Sequence, residues 1–404
     1  MTGRRERIVV LGIMSRMPVA GLVWGTIQYL LGFARLGYEV YYVEEHGSTP
    51  RMFIDHPDDD GWLKAAAFVD GVMRRIGMAD RWAYHVLHDD RCYGMSRTQL
   101  QALCASAAYV INLHGSTTPR AHHESAGVFV YVDTDPVEIQ IGIHENARQA
   151  IDFLGAHDAF FTWGLNYGAP DCGVPVSDRF HFHPSPPPVL TDLWESDVDA
   201  PHGLFTTIGN WRQDYREFEF QGETYYWSKH REFLKFIDLP RRAGSQFELA
   251  LSSCDDDDRR LLETHAWRVR DALPFSADLD QYRAYIRESC GEFTVAKDQN
   301  VRLRSGWFSE RSASYLAAGR PVITQDTGFG NVLPTGAGLF AFTTIDEVSD
   351  AVQRIRGDYA AHSRAARDIA AGFFDYRIVL PRLLTQASGE PRPAHPEDQT
   401  WLSA

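Results

Sequence analysis

The chain has 404 residues, 44% apolar and 23% charged, a globular composition that is too long for one ordinary hydrophobic core. Its 40 basic and 54 acidic side chains leave a net charge of −14 at pH 7, which argues against nucleic acid or an anionic membrane as partner, since both need a basic face. The five cysteines (Cys92, Cys104, Cys172, Cys254, Cys290) form no CxxC pair, the N-terminus has no signal-peptide pattern and no apolar run could span a bilayer, so a cytoplasmic protein with reduced thiols is expected.

Residues 8–11 predict a buried strand, followed by a Gly-bounded loop at 12–21 and a helix over 23–36. That helix carries Val23, Ile27, Leu30, Leu31 and Ala34 on one face. Gly37 stops it and a second strand begins at Glu39, which makes a βαβ unit and starts a parallel sheet. The first turn lacks G-x-G-x-x-G, which lowers the odds of an NAD or FAD enzyme. The pattern then predicts a helix over 62–76, extended chain over 82–87, and a helix from Ser96, whose capping box closes with Gln99. Strands at 109–113 and 128–132 end in His114 and Asp133, a helix is expected over 137–154, and a further strand ends at Trp163. Ligands of open α/β sheets sit beyond the carboxyl ends of the strands, so the segments 12–21, 114–118, 133–135 and 163–167 should share one rim.

The Pro-rich stretch 181–203 breaks the periodicity and marks the domain boundary. The expected organisation is an N-terminal domain over 1–185, a hinge over 186–203, a second domain over 204–375, and a segment 376–404 that returns toward the first domain and ends in a disordered tail. The second series starts with a strand ending in Gly209-Asn210-Trp211-Arg212. It continues through an aromatic segment containing Lys229, strands at 247–251 and 292–295, and the residues after the latter, which include Lys297. Residues 305–331 are its centre. Ser309 or Ser305 can cap a helix that Gly319 stops, and the strand 322–324 empties into a Gly-rich loop suited to a phosphate or a sugar oxygen. Thr344 with Glu347 caps the next helix, and 359–374 reads as a further one.

Several residues invite chemistry. His114 ends a strand at the expected rim. Asp133 and Asp135 flank Thr134 and, by strand alternation, should point the same way. Arg212 and Lys229 lie among Trp211, Tyr225, Tyr226 and Trp227, as in a cleft wall. His181-x-His183, His122-His123 and the acidic segment 55–60 match no zinc or EF-hand spacing, so no metal is expected.

Two αβ halves with a Pro-rich hinge resemble the GT-B glycosyltransferase architecture, two Rossmann-like parallel-sheet domains facing a cleft. The C-terminal half is similar to family-4-like glycosyltransferases, including the spore-maturation group. The matching motifs are Tyr315-Leu-Ala-Ala-Gly319, Pro321-Val-Ile323, Thr327-Gly-Phe-Gly330 and Thr344-Ile-Asp-Glu347. The resemblance implies a hexosyltransferase using a nucleoside diphosphate sugar, retaining, without metal or cofactor, and acting on a hydroxyl or amine of a small-molecule or glycan acceptor. It assigns the donor diphosphate to Gly209, Arg212 and Lys229, with Lys297 in reach. Ser309 and Glu310 open the central helix on the donor side, and Gly328, Phe329, Gly330 and Asn331 meet the donor sugar. The family's Glu-x7-Glu pair is replaced by Gly306 and Ser314, and Glu310 is the stand-in for the ribose contact. His114 and Asp135 are the catalytic candidates, and Asp133, Trp163 and Asn166 the acceptor candidates. A nucleotide-sugar epimerase of the same fold, with Asp133 and Asp135 flanking the sugar, or a non-catalytic sugar-nucleotide-binding partner protein, are the alternatives.

Overall fold

The computed structural model describes residues 5–48, 51–196, 203–244 and 246–389. The predicted tail beyond residue 389 and the last part of the predicted hinge lie outside the described residues. Short Val/Ile-rich runs form strands buried on both faces, as parallel sheets require. The N-terminal sheet contains β1 (Arg7–Leu11), β2 (Glu39–His46), β3 (Trp82–Val86), β4 (Cys92–Tyr93), β5 (Tyr109–Leu113), β6 (Val128–Asp133), β7 (Ala159–Thr162) and β8 (Phe182–Pro184). Their order is β4-β3-β2-β1-β5-β6-β7-β8, parallel except for the β3/β4 edge pair. Ile8 and Val10 pack toward the helix Ala20–Arg35, whereas Val9 and Leu11 pack toward Arg97–Ala105.

The second half contributes β9 (Leu204–Asn210), the hairpin β10 (Phe218–Phe220) with β11 (Glu223–Tyr225), β12 (Gln246–Ser252), β13 (Arg268–Asp271), β14 (Gly291–Thr294), β15 (Val322–Gln325) and β16 (Leu339–Phe342). Outside the hairpin these form a parallel sheet in the order β13-β12-β9-β14-β15-β16. One of its faces buries Phe247, Phe293 and Phe342 against Val348, Val352 and Ile355 of the helix Ile345–Gly357.

In each sheet the strand order reverses at one place, β1/β5 and β9/β14. Crevices open at the carboxyl ends of the strands there. The two crevices face each other, because the chain crosses back. Val189 N–H donates to Phe374 carbonyl oxygen at 2.6 Å and Tyr376 N–H donates to Val189 carbonyl oxygen at 3.0 Å. The helix Tyr376–Ala387 then packs on Ala20–Arg35. Gly32 permits this approach, since a Cβ there would lie 2.5 Å from Leu380 Cδ1.

Two predicted helices are interrupted. The one expected over 137–154 divides into Glu138–His144 and Arg148–Leu154, because Asn146 takes a φ of +56° and ends the first segment. The one expected over 359–374 is α-helical only over Tyr359–Ile369 and widens into a π-helical turn at Ala370–Phe374. The Ser96 and Thr344 capping boxes form as expected, and Ser309 rather than Ser305 caps the central helix Glu310–Ala317. Among the described residues no helix is long and apolar enough to cross a membrane.

Candidate active-site cleft

A cavity of about 280 Å³ lies between the facing sheets and adjoins a groove of about 1460 Å³, the two sharing Met17, Leu22, His114, Thr134, Asp135 and Asn210. The N-terminal sheet supplies His114 and Trp163 to the cavity, and the second half supplies Gly209, Trp307, Glu310 and Arg311.

His114 follows β5 directly and adopts a φ of +64°, a left-handed conformation that is uncommon for a residue with a side chain. The strand end and this turn aim its ring into the cleft. Nδ1 bonds Thr134 Oγ1 at 2.8 Å, while Nε2 is buried without a partner. Burial pushes the imidazole down to about 4, so it is neutral at pH 7. The ring stands edge-on to Trp163, with centroids 6.4 Å apart. Trp163 itself directs Nε1 at the Tyr29 hydroxyl, 3.4 Å away.

The two aspartates do not act as a pair. β6 ends at Asp133, so strand alternation stops before Asp135. Asp133 turns inward and accepts from Gln140 Nε2 at 2.8 Å and from Thr162 Oγ1 at 3.4 Å; burial raises its carboxyl to about 6. Asp135 faces the cleft and crosses it to pair with Lys297. Lys297 in turn lies 3.0 Å from the centre of the Trp227 ring, and burial lowers its ammonium to about 8.

On the donor side the expected cations separate into committed and uncommitted. Arg212 holds Asp258 through two contacts, Nε–Oδ2 at 2.5 Å and Nη2–Oδ1 at 2.9 Å, and lies outside the cavity lining. The ammonium of Lys229 makes no hydrogen bond or ion pair among the described residues, although Lys229, like Arg212, is not itself among the residues lining the cavity. Its Nζ lies 4.9 Å from the centre of the Trp307 ring, and burial, with Arg311 and Lys297 nearby, lowers it to about 7. Arg311, unforeseen from sequence, lines the cavity while its Nε donates to Glu292 Oε1 at 2.6 Å and its Nη2 to Thr294 Oγ1 at 3.0 Å. Gly209 lies at the end of β9, with no atom within 4 Å of where a Cβ would stand. Glu310 extends toward Gly25 across the cleft, and burial raises its carboxyl.

The remaining sequence candidates lie elsewhere. Ser309 spends its hydroxyl on Arg311 N–H at 3.2 Å as a helix cap. Ser314 is buried and donates to Glu310 carbonyl oxygen at 3.0 Å, so its side chain is turned back onto its own helix. Gly328, Phe329, Gly330 and Asn331 do not line the cavity. Phe329 is buried against Phe308, and Asn331 Nδ2 donates to Asn166 Oδ1 at 2.9 Å. Asn166 also donates to Arg304 carbonyl oxygen at 2.9 Å, so this Gly-rich loop joins the two halves beside the cleft. Trp307, also missed from sequence, donates from Nε1 to Thr134 carbonyl oxygen at 3.1 Å and forms the cavity floor between the halves. Its neighbours in the motif Ser305–Arg311 were the only sequence signal.

The fold is GT-B, as comparison with solved structures shows. An alpha-glucosyltransferase in complex with UDP and a 13-mer DNA matches with a TM-score of 0.60 at 10% identity, over 95% of this chain and 100% of that one. HepE of Anabaena in complex with UDP-glucose matches with a TM-score of 0.56 at 12% identity, over 95% and 99%. Sucrose-phosphate synthase of Thermosynechococcus elongatus matches with a TM-score of 0.51 at 11% identity, over 95% and 100%. No protein-family model and no curated protein matches the chain.

Proposed function

We propose that this chain is a family-4-like GT-B glycosyltransferase, which moves a hexose-type sugar from a nucleoside diphosphate sugar to a hydroxyl, or an amine, of a small-molecule or glycan acceptor. The observation that carries this reading is the unpaired ammonium of Lys229, which lies near Arg311 and over the ring of Trp307, two residues that line the cleft. Burial, with Arg311 and Lys297 nearby, lowers the proton affinity of Lys229, and a diphosphate relieves that strain on its charge. The UDP and UDP-glucose named for the structural neighbours make uridine the first nucleotide to test.

In this reading Lys229 holds the diphosphate, Arg311, paired with Glu292 but lining the cavity, adds positive charge beside it, Gly209 lets it approach the end of β9, and Glu310 takes the ribose diol. As the glycosidic C–O bond breaks, the two cations stabilise charge developing on the leaving phosphate oxygen. That oxygen can accept the acceptor's proton, which gives retention without a strong base. Neutral His114 offers Nε2 to a sugar hydroxyl and positions the ring. Asp135 pairs with Lys297 and Asp133 bonds Gln140, an arrangement that favours transfer over an epimerase with two carboxylates flanking the sugar. In this reading protein cations offset the charge of the diphosphate. The net charge of −14 supports a small-molecule or glycan acceptor over nucleic acid. Five free cysteines support a cytoplasmic site of action.

Thermal shift with UDP, dTDP, GDP, ADP and CMP tests the reading. A nucleotide at 100 times its dissociation constant stabilises by about 2.7 kcal/mol, which a melt detects. Stabilisation by one diphosphate, lost in Lys229→Ala, is expected. No shift with any of the five would overturn it.

A further inference from the structure

We propose that Glu45, His122 and His123 form a binding site for a divalent transition ion of the zinc class, outside the cleft. The adjacent histidines match no zinc spacing in the sequence, because the third ligand comes from 77 residues away on β2. Glu45 Oε2 contacts His122 Nε2 at 3.1 Å and His123 Nε2 at 2.5 Å. One ligand atom from each of the three residues lies within 4.8 Å of the others. The two imidazoles meet edge to face, with centroids 4.2 Å apart.

Tetrahedral zinc with bonds of about 2.0–2.2 Å holds its ligand atoms roughly 3.4 Å apart. The two contacts at Oε2, 3.1 and 2.5 Å, are shorter than that spacing, so an ion enters as the rings move outward, His122 by roughly 0.3 Å and His123 by roughly 0.9 Å. Two imidazoles and one carboxylate select zinc-class ions over magnesium or calcium, which prefer oxygen. The surroundings match those of a metal centre. His85 Nδ1 bonds the other carboxylate oxygen, Oε1, at 2.9 Å and fixes its orientation. His123 Nδ1 is buried with no partner and Nε2 donates to Glu45 Oε2, so an ion binding at Nε2 takes the place of that proton, which leaves or moves to Nδ1. Glu45 and His123 are buried, whereas His122 keeps 16% of its side chain exposed, which gives the ion a way in and a fourth position open to water.

None of the three residues lines the cleft, but the histidines lie on the segment joining β5 to β6, which begins with His114. A bound ion would fasten that segment to β2 and hold His114 in its left-handed turn. The role is structural, and no redox step is involved.

The test titrates the full chain, first dialysed against EDTA, with Co²⁺. One equivalent, with the intense visible absorption of four-coordinate cobalt and displacement by Zn²⁺, is expected. Zn²⁺ should raise the melting temperature, and EDTA should reverse the rise. His123→Ala and the milder, partly exposed His122→Ala should each abolish the band. His122→Ala should still melt cooperatively. His181→Ala/His183→Ala should keep the band. Absence of a cobalt band in the wild-type chain would overturn the proposal and leave the cluster a hydrogen-bonded carboxylate. A band that survives His122→Ala, or is lost in the His181/His183 variant, would overturn it equally.

Discussion

The ammonium of Lys229 lies over the indole of Trp307, 4.9 Å from the ring centre, and forms no ion pair among the described residues. Arg212, the other cation expected to hold phosphate, is bound to Asp258. The two should therefore behave oppositely. A charge-assisted hydrogen bond contributes about 1.5–3 kcal/mol, so Lys229→Ala should weaken nucleoside diphosphate binding about 10- to 150-fold with little change in melting temperature. Arg212→Ala should lower the melting temperature, because it leaves the Asp258 carboxylate with Trp211 Nε1 but no cation, and should spare affinity. Calorimetric titration beside a melt separates the two. Equal affinity losses would place Arg212 back at the diphosphate.

The same lysine sets a pH dependence. Its ammonium is lowered to about 7, so the unliganded protein loses this charge as pH rises through neutrality. The affinity of the free enzyme for the diphosphate should fall by up to about tenfold per pH unit above 7, until another group limits it. The slope should vanish in Lys229→Ala. Kd measured from pH 6 to 9 gives the result directly.

Gly209 and Gly306 make a contrasting pair. A Cβ at Gly209 meets nothing within 4 Å, so Gly209→Val should fold normally and obstruct the cleft. Binding should be lost at nearly unchanged stability. Gly306 has a φ of +78°, and a Cβ there would lie 2.0 Å from Asn166 N. Gly306→Ala should therefore cost more than about 3 kcal/mol and loosen the junction of the two halves. Urea unfolding of both variants decides.

Glu44 supports the loop that brings Met17 to the cavity. Its buried carboxylate accepts from Ser15 N–H at 2.9 Å, Ser15 Oγ at 2.5 Å and Tyr42 Oη at 2.6 Å, and bonds His46 Nε2 at 2.7 Å. Glu44→Ala strands these donors in the interior and should destabilise by about 3 kcal/mol or more. Nucleotide binding should weaken with it, and Glu44→Gln should recover part of both.

His157 gives an acid-side prediction. It is 6% exposed, donates from Nδ1 to Phe153 carbonyl oxygen at 3.0 Å and accepts from Asn112 Nδ2 at 3.1 Å, a set that fits only the neutral ring. Burial lowers it to about 4, below an unfolded value near 6.5. The stability it contributes is complete above pH 6.5 and is lost as pH falls toward 4, at about 1.4 kcal/mol per unit. Asp133, raised to about 6, works in the opposite direction, favouring the fold at low pH and losing that contribution as pH rises through 6. Comparison of wild type with His157→Gln at pH 7.5 and 4.5 isolates the histidine: the variant should show the smaller loss.

Much of the architecture was legible because it is local. Val/Ile runs, Gly stops and the capping boxes at Ser96 and Thr344 are decided within a few residues, and together they gave two parallel sheets and the rim carrying His114 and Trp163. Glu310 was legible only through the family resemblance, as the acid one helical turn before Ser314. The misread elements were also local, but turned on subtler balances. Asn146 can enter the left-handed region or continue a helix, and its apolar neighbours do not decide which.

The sequence by itself determined the main strands and helices of both halves, where those strands end, and hence which loops share a rim, since backbone propensity and burial period act over short range. Only the tertiary structure decided how each polar side chain is spent. Arg212 is neutralised by Asp258, 46 residues on; Asp135 reaches Lys297, 162 residues away; and Glu45 collects three histidines from β3 and the β5–β6 segment. Electrostatic partners are chosen by proximity in space, and chain spacing carries no trace of it, so the sequence names the charged residues but not which of them are left free to bind a ligand.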